Sequence, residues 1–234
     1  MSNYLCTELF LAPHAEQAKE LAKLLAACRI TANELNEFGR DIITGNAQER
    51  ELAGKLMEEG IDYQPHIMKF PGQFDFVNKA REVRETNLWM RDLYATCINA
   101  AGWDVYDNFQ DYFRRKKAGI DCGLPRFKSA SRYDTFRYPA YGQYEVTEEL
   151  NKGKNGSKIH LGGIGDINVI NPKCARGILS KGIPKQAIVK RYKGYHKNKW
   201  SVIIYYDTVE PRSCGELREF PRTPASIDIG ARKT

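Results

Sequence analysis

Several kinds of motif are missing from this 234-residue sequence, and each absence narrows what the chain can do. The six cysteines occur singly, with no CxxC pair, so neither a zinc ribbon nor a disulfide framework is indicated. The sequence also lacks GxSxG, HExxH and a glycine-rich phosphate loop. These absences argue against the hydrolase, zinc-protease and nucleotide-binding sites that such motifs build.

Long apolar runs are missing as well. No run approaches the roughly 18 residues of a membrane-spanning helix, and the N-terminal segment MSNYLCTELF has no basic leader before an apolar stretch. No internal repeat or low-complexity tract is evident. We therefore expect a globular protein of the cytosol, with no membrane partner.

What the sequence does contain is basic charge in two blocks. The net charge is +7, but residues 1–112 carry 11 basic and 18 acidic side chains. Residues 113–138 carry 8 basic and 2 acidic side chains, and residues 173–199 carry 9 basic and none acidic. Such concentrated positive charge favours an acidic polymer as the partner, and we expect a nucleic acid.

The N-terminal half of the sequence is predicted to be mostly helical. The segment NYLCTELFL, which ends before Pro13, is typical of a strand. Apolar residues then recur at steps of three and four from Ala18 to Phe38, which predicts a long helix. A second helix is predicted around 47–60, and helical signals resume from Phe76 to Gly119.

From about Gly123 the periodicity changes to that of strands. Alternating aromatic and polar residues with frequent glycines and prolines predict several short antiparallel strands. The predicted fold class is α+β, a small antiparallel β-barrel with a helical module inserted after its first strand. The predicted boundaries are 1–13 for the first barrel strand, 14–120 for the helical module, 121–211 for the rest of the barrel, and 212–234 for a linker and a final strand.

The most informative internal stretch is GLPRFKSASRYDTFRYP, in which basic and aromatic residues alternate. This pattern suits phosphate contacts combined with stacking on bases. The alternative is that the aromatic side chains face the core while the basic ones face water. The alternating stretch and the two basic blocks together supply the predicted nucleic-acid-binding residues. These are Arg114, Arg115, Lys116, Lys117, Arg126, Lys128, Arg132, Tyr133, Arg137, Lys185, Lys190, Arg191, Lys193, Tyr195, Lys197 and Lys199.

One acidic residue is a candidate catalytic group. Asp228 lies in the segment IDIG, which is typical of the first strand of an RNase H-like nuclease. Hydrolysis by two metal ions needs several carboxylates to hold those ions, and one aspartate cannot do so. The four histidines are isolated in the sequence, which favours structural or surface roles.

The order of these motifs resembles the N-terminal half of the TnpB family, transposon-encoded RNA-guided DNA endonucleases related to the type V CRISPR effectors. The resemblance runs through PHAEQAKELAKLLAACRITANEL, YFRRKKAGIDCGLPRFKSASRYDTFRYP, GDINV, KNKWSVIIYYDTVEP and ASIDIGARK. It covers nearly the whole chain, and GLPRFK followed by IDIG about 100 residues later is its most specific feature.

The resemblance implies that the barrel is a wedge domain and that the inserted helices are a recognition domain. It implies a guide RNA and a target DNA as partners, a short target-flanking motif, and a prokaryotic cytosolic, nucleoid-associated location. Asp228 matches the first of three RuvC acids, and the second and third have no counterpart within these 234 residues. The resemblance therefore implies a truncated RuvC domain, no cofactor for this chain alone, and Mg²⁺ only where partner acids complete the site.

Three functions fit the sequence. The first is an RNA-guided binding module that engages DNA without cutting it and tolerates Asp228→Ala. The second is one half of a split or truncated endonuclease, in which another polypeptide supplies the missing acids. The third is a sequence-specific DNA-binding regulator that needs no RNA.

Overall fold

A computed structural model of the chain describes residues 4–192 and 199–208, which form a mixed helical and antiparallel β (α+β) structure. The helices are α1 (Ala15–Glu58), α2 (Gln73–Thr86), α3 (Ala95–Lys117), α4 (Glu148–Asn151) and α5 (Ile178–Lys181). Short 3-10 turns cover Leu88–Met90 and Pro172–Ala175. The strands are β1 (Tyr4–Ala12), β2 (Thr135–Tyr138), β3 (Tyr144–Val146), β4 (Lys158–Leu161), β5 (Gly165–Val169), β6 (Gly182–Arg191) and β7 (Trp200–Thr208).

Helix α1 is one 44-residue helix where the sequence predicted two. Its start is fixed by a capping box, in which the His14 ring accepts from the Gln17 amide and the Gln17 side chain accepts from the His14 amide. No proline interrupts residues 39–47, between the two predicted helices. The Asn46 side chain there bonds both backbone groups of Met68, donating at 2.8 Å and accepting at 2.8 Å. These hydrogen bonds to the segment that follows α1 stabilise the helix at a point where its intrinsic helix propensity is low.

The seven strands form a single antiparallel sheet in the order β2-β6-β7-β1-β5-β4-β3. β1 lies inside this sheet, paired with β7 on one side and β5 on the other, so the first strand does belong to the same sheet as the C-terminal strands. The glycines of the segment LGGIGD lie at the β4–β5 hairpin, where Gly163 and Gly165 have positive φ angles of 77° and 89°.

The sheet is open, and the predicted closed barrel is wrong in that respect. β2 and β3 are its two edges and, within the described residues, they do not pair with each other. Only residues 139–143 connect them, a link that spans at most about 22 Å, whereas seven flat strands would separate the edges by about 29 Å. The sheet must therefore curl so that its edges approach without joining.

The Tyr94 ring lies between β2 and the turn that follows β4. It is 5.7 Å from the ring of Tyr138 on β2. A Cβ atom at Gly162 or Gly163, in the turn beside β4, would come within 2.7 Å of Tyr94. The Tyr138 hydroxyl donates to the Gly162 carbonyl at 2.9 Å. A helical-module side chain and one hydrogen bond thus link β2 to the turn between β4 and β5.

Two hydrophobic cores meet along α1. The first core joins one side of the sheet to the first half of α1, including Leu21, Leu24 and Cys28. The second core is helical and contains Leu35 of α1, Phe76 of α2 and Phe109 of α3 among its buried residues. Tyr133 packs against both cores. The helices are therefore anchored to the sheet by a continuous α1 rather than by a flexible linker.

Two helical glycines have opposite expected effects on stability. A Cβ at Gly102 of α3 would lie 2.9 Å from the Phe76 carbonyl oxygen, so α2 and α3 approach too closely for a methyl group. Gly102→Ala should lower the free energy of unfolding by about 1–3 kcal/mol. Gly54 of α1 has no atom within 4 Å of such a Cβ, and Gly54→Ala should raise the same quantity by about 0.5–1 kcal/mol. Urea unfolding measures the free energy of unfolding of both variants. Equal changes in the two variants would contradict the packing described.

None of the helices in the described part of the chain combines the length and apolar character that crossing a membrane requires.

Candidate nucleic-acid interface

The segment between α3 and β2 is fixed to α1 by side-chain hydrogen bonds. The Asn33 carboxamide accepts from the Lys128 amide at 2.9 Å and donates to the Lys128 carbonyl at 3.1 Å. Arg40 donates to the Pro125 carbonyl at 3.0 Å. Arg126 and Lys128 are exposed on this segment. The backbone that carries both basic side chains is therefore held in place before any ligand arrives, which limits the entropy lost on binding.

The aromatic residues of this stretch divide between the core and the surface. Phe136 and Tyr138 are buried in the core, so their rings are not accessible for stacking on nucleic-acid bases. Tyr133 is half-buried between the two cores, and burial raises the pKa of its hydroxyl well above the usual value. Phe127 is 49% exposed, with the Arg40 guanidinium 5.2 Å from its ring centre. Of these aromatic rings, Phe127 is the one available for stacking.

Pairing of β2 with β6 brings the two basic blocks together. Thr135 lies opposite Lys190, and the Arg191 amide donates to the Asp134 carbonyl at 2.8 Å. Lys190 and Arg191 therefore lie beside the segment that carries Lys128, although more than 60 residues separate them in sequence. Arg126, Lys128 and Arg132 are exposed, Lys190 and Arg191 are half-buried, and we call these five residues together the basic face.

The end of β6 is supported by a polar cluster around Glu8 of β1. Its carboxylate accepts from the Tyr192 hydroxyl at 2.5 Å and from the Ser201 hydroxyl at 2.7 Å. Burial, helped by the bond to Glu8, raises the pKa of Tyr192 to about 12, so this phenol holds its proton more firmly than an ordinary tyrosine does. The Lys190 ammonium lies 4.8 Å from the centre of the Tyr192 ring, within the range of a cation–π contact. Lys190 is thus held near the end of β6 by its neighbour.

Arg137 has partners within the protein. Its Nε and Nη2 atoms lie 2.8 and 2.7 Å from Asp104 Oδ1, its Nη1 donates to Gln186 at 3.3 Å, and its guanidinium lies 5.5 Å from the Trp103 ring. Burial raises the pKa of the Asp104 carboxyl group, and the Arg137 charge opposes that rise. In this structure the guanidinium ties α3 to β2 and β6.

Removing Asp104 should therefore cost stability. The Asp104 side chain is 49% exposed, which reduces the value of the ion pair, and we expect Asp104→Ala to lower the free energy of unfolding by about 1–2 kcal/mol. The exposed neighbour Asp107 provides the matched control, and Asp107→Ala should change the free energy by less than about 0.5 kcal/mol. Denaturant unfolding at neutral pH measures both, and indistinguishable losses would contradict the role assigned to the pair.

A small cavity opens where α1, α3, β2 and β6 meet, next to the basic face. Its volume is about 100 Å³, and its polar lining includes Asn36, Asp104, Asn108 and Lys128. Asn36 is 3% exposed, and its side-chain oxygen has no hydrogen-bond partner among the described atoms. A buried carboxamide needs a partner, and this cavity has room for water molecules that would supply one.

The remaining predicted binding residues lie elsewhere. Arg114, Arg115, Lys116 and Lys117 are exposed at the end of α3, where Arg114 pairs with Asp111 at 2.7 Å and Lys116 with Asp121 at 3.5 Å. Lys185 is exposed beside a register shift in β6, roughly 16 Å along the strand from Lys190. Lys199 is exposed just before β7. Lys193, Tyr195, Lys197 and Asp228 lie outside the described residues.

Sequence reasoning missed the residues that support the interface. Asn33, Asn36 and Arg40 of α1 and Asp104 of α3 were not singled out. Asn36 offered a signal, because it is a polar residue beside the predicted apolar stripe that contains Ala32 and Leu35. Asn33 and Arg40 are ordinary helix-surface residues in sequence terms, and only the path of residues 118–134 shows their role.

Within residues 4–192 and 199–208, no group of three or more His, Cys, Asp or Glu side chains is arranged to hold a metal ion. His160 and Asp166 form an isolated pair at 2.7 Å on the β4–β5 hairpin. The five cysteines in this part of the chain, Cys6, Cys28, Cys97, Cys122 and Cys174, are free thiols.

No known protein-family model matches the chain, and no curated protein matches it.

Proposed function

We propose that this chain is the RNA-guided nucleic-acid-binding module of a TnpB-like protein, holding a guide RNA and a target DNA. In this proposal the curled sheet corresponds to the wedge domain and the helices to the recognition domain. A protein of this kind recognises the shape of the guide–target duplex and a short flanking motif, while base pairing between guide and target recognises the sequence. Asp228 would be the first RuvC acid of an incomplete nuclease site.

The observation that carries the proposal is the pairing of β2 with β6. Some residues of two basic blocks that are distant in sequence come together at this strand pair, with Lys190 opposite Thr135 and Lys128 packed on Tyr133 just before β2. Lysine and arginine side chains on a fixed backbone can contact successive phosphates of one nucleic-acid backbone. The resemblance to TnpB adds the expectation that this nucleic acid includes RNA.

Binding measurements on the purified chain, freed of nucleic acid in high salt, test the proposal. The probes are a single-stranded RNA, an RNA–DNA hybrid and a DNA duplex of equal length, each titrated at several salt concentrations. We expect salt-dependent binding of the RNA-containing probes, tighter than that of the DNA duplex. Equal or tighter binding of the DNA duplex would support the regulator that needs no RNA.

A cleavage assay separates the binding module from the split endonuclease. The chain loaded with RNA is incubated with labelled target DNA and Mg²⁺, with and without lysate from its host as a source of a partner. The proposal predicts intact DNA with the purified chain and identical binding by Asp228→Ala. Cleavage that needs the lysate and disappears with Asp228→Ala would show that a second polypeptide completes a RuvC site.

A further inference from the structure

Helix α3 presents an aromatic surface directly before its four basic residues. Tyr106, Gln110 and Phe113 lie on the same side of α3 and line a solvent-open groove of about 810 Å³. We call this the aromatic groove, and its complete lining is Phe38, Lys69, Phe70, Pro71, Gly72, Asp75, Tyr106, Gln110 and Phe113. The basic face and the aromatic groove share no residues.

The aromatic rings of the groove rest on a rigid floor. Phe76 and Phe109 are completely buried beneath it. Phe70 packs edge-on against Phe113 with ring centres 4.8 Å apart, and it lies 5.3 Å from Phe109. Phe38, Phe70, Tyr106 and Phe113 remain half-buried, so part of each ring is open to solvent. These rings are therefore preorganised apolar surfaces that a flat ligand can contact without reordering the core.

Basic side chains flank the groove, and its one acid is already engaged. Lys69 is an exposed lining residue. Lys117 follows Phe113 by four residues, which places it on the same side of α3 one turn further along, whereas Arg114, four residues after Gln110, is paired with Asp111. The Asp75 carboxylate accepts from the Gly72 amide at 2.8 Å at the start of α2. An aromatic surface bordered by positive charge complements a strand that carries both bases and phosphates.

We propose that the aromatic groove binds a single-stranded segment of nucleic acid, with a base stacked on its rings and phosphates near Lys69 and Lys117. This inference rests on the proposed function, since it adds a second contact region to a nucleic-acid-binding protein. A single strand is the expected occupant because the bases of a duplex are already stacked on one another and cannot reach these rings.

The test is fluorescence anisotropy with a labelled 12-nucleotide oligothymidylate. The double variant Tyr106→Leu/Phe113→Leu keeps apolar side chains but removes two rings, and it should bind the probe at least about tenfold more weakly. The slope of log affinity against log salt should stay unchanged, because stacking releases no counterions. Lys69→Gln should instead reduce that slope by about 0.7. Phe74, whose side chain is 79% exposed and does not line the groove, provides the matched control, and Phe74→Leu should bind as the wild type does.

Two further results make the test decisive. An oligothymidylate carrying 5-iodouracil should crosslink under ultraviolet light to a peptide that contains Tyr106 or Phe113, as located by mass spectrometry. Wild-type affinity in a folded double variant, or crosslinks confined to other peptides, would overturn the groove assignment. Complete failure of the wild type to bind any nucleic acid would instead overturn the proposed function, so the two failures are distinguishable.

Discussion

Reversing the charge of four residues on the basic face is expected to weaken nucleic-acid binding at least about a hundredfold at 0.1 M salt. The variant replaces Arg126, Lys128, Lys190 and Arg191 by glutamate. If each side chain neutralises one phosphate, the slope of log affinity against log salt should flatten by about 4, because each lost phosphate contact removes about 1. Titration of an RNA–DNA hybrid at salt concentrations from 50 to 300 mM measures both quantities.

The matched control separates the basic face from overall charge. Each reversal changes the net charge by −2, so four of them take the chain from +7 to −1. Glutamate at the exposed positions Lys19, Arg81, Lys154 and Lys158 produces the same net charge away from the basic face. This control should keep most of the affinity and nearly all of the salt slope. Equal losses in the two variants would show that total charge, rather than the β2–β6 arrangement, determines binding.

Replacement of Tyr133 by alanine is expected to cost about 3 kcal/mol of the free energy of unfolding. The ring packs against the sheet core and the helical core at once, so its removal leaves a cavity between them. Lys128 also loses the aromatic face that its ammonium group approaches at 5.7 Å. Urea unfolding followed by circular dichroism measures the loss, and the helical and sheet signals should shift together.

Tyr133→Phe separates packing from the hydroxyl group. Phenylalanine keeps the ring, so this variant should unfold within about 0.5 kcal/mol of the wild type and bind nucleic acid with unchanged affinity. Tyr133 was predicted from sequence to bind nucleic acid, and its half-buried position between the cores makes packing the larger expected contribution. A stable Tyr133→Ala variant that has lost its affinity would instead show that the ring stacks on a base.

The sequence predicted the secondary structure best where one local pattern is sufficient. In the region predicted to form short strands, KIHL and GDINV are β4 and β5, and alternation alone places Ile159, Leu161, Ile167 and Val169 in the core. The continuity of α1 was not predictable in this way, because it depends on Asn46 bonding to Met68, 22 residues away. The position of Tyr94, a helical-module residue beside the turn after β4, is likewise a long-range contact that no local pattern predicts.

The candidate interface was predictable in composition but not in arrangement. Two basic blocks can be counted in the sequence, yet the register that places Thr135 opposite Lys190 is a long-range pairing. The role of Arg137 was also hidden, because its partner Asp104 lies 33 residues earlier on another element. Charge patterns in the sequence predict that a chain binds a polyanion, whereas tertiary contacts determine which basic side chains remain available for that binding.

The most direct test of the central claim is to purify the chain from its host and sequence the nucleic acid that accompanies it, with and without ribonuclease treatment. The account predicts a discrete structured RNA with one variable end, removed by ribonuclease. Protein that carries no nucleic acid and still shifts a DNA duplex on a gel would contradict the account and favour a DNA-binding regulator that acts without RNA.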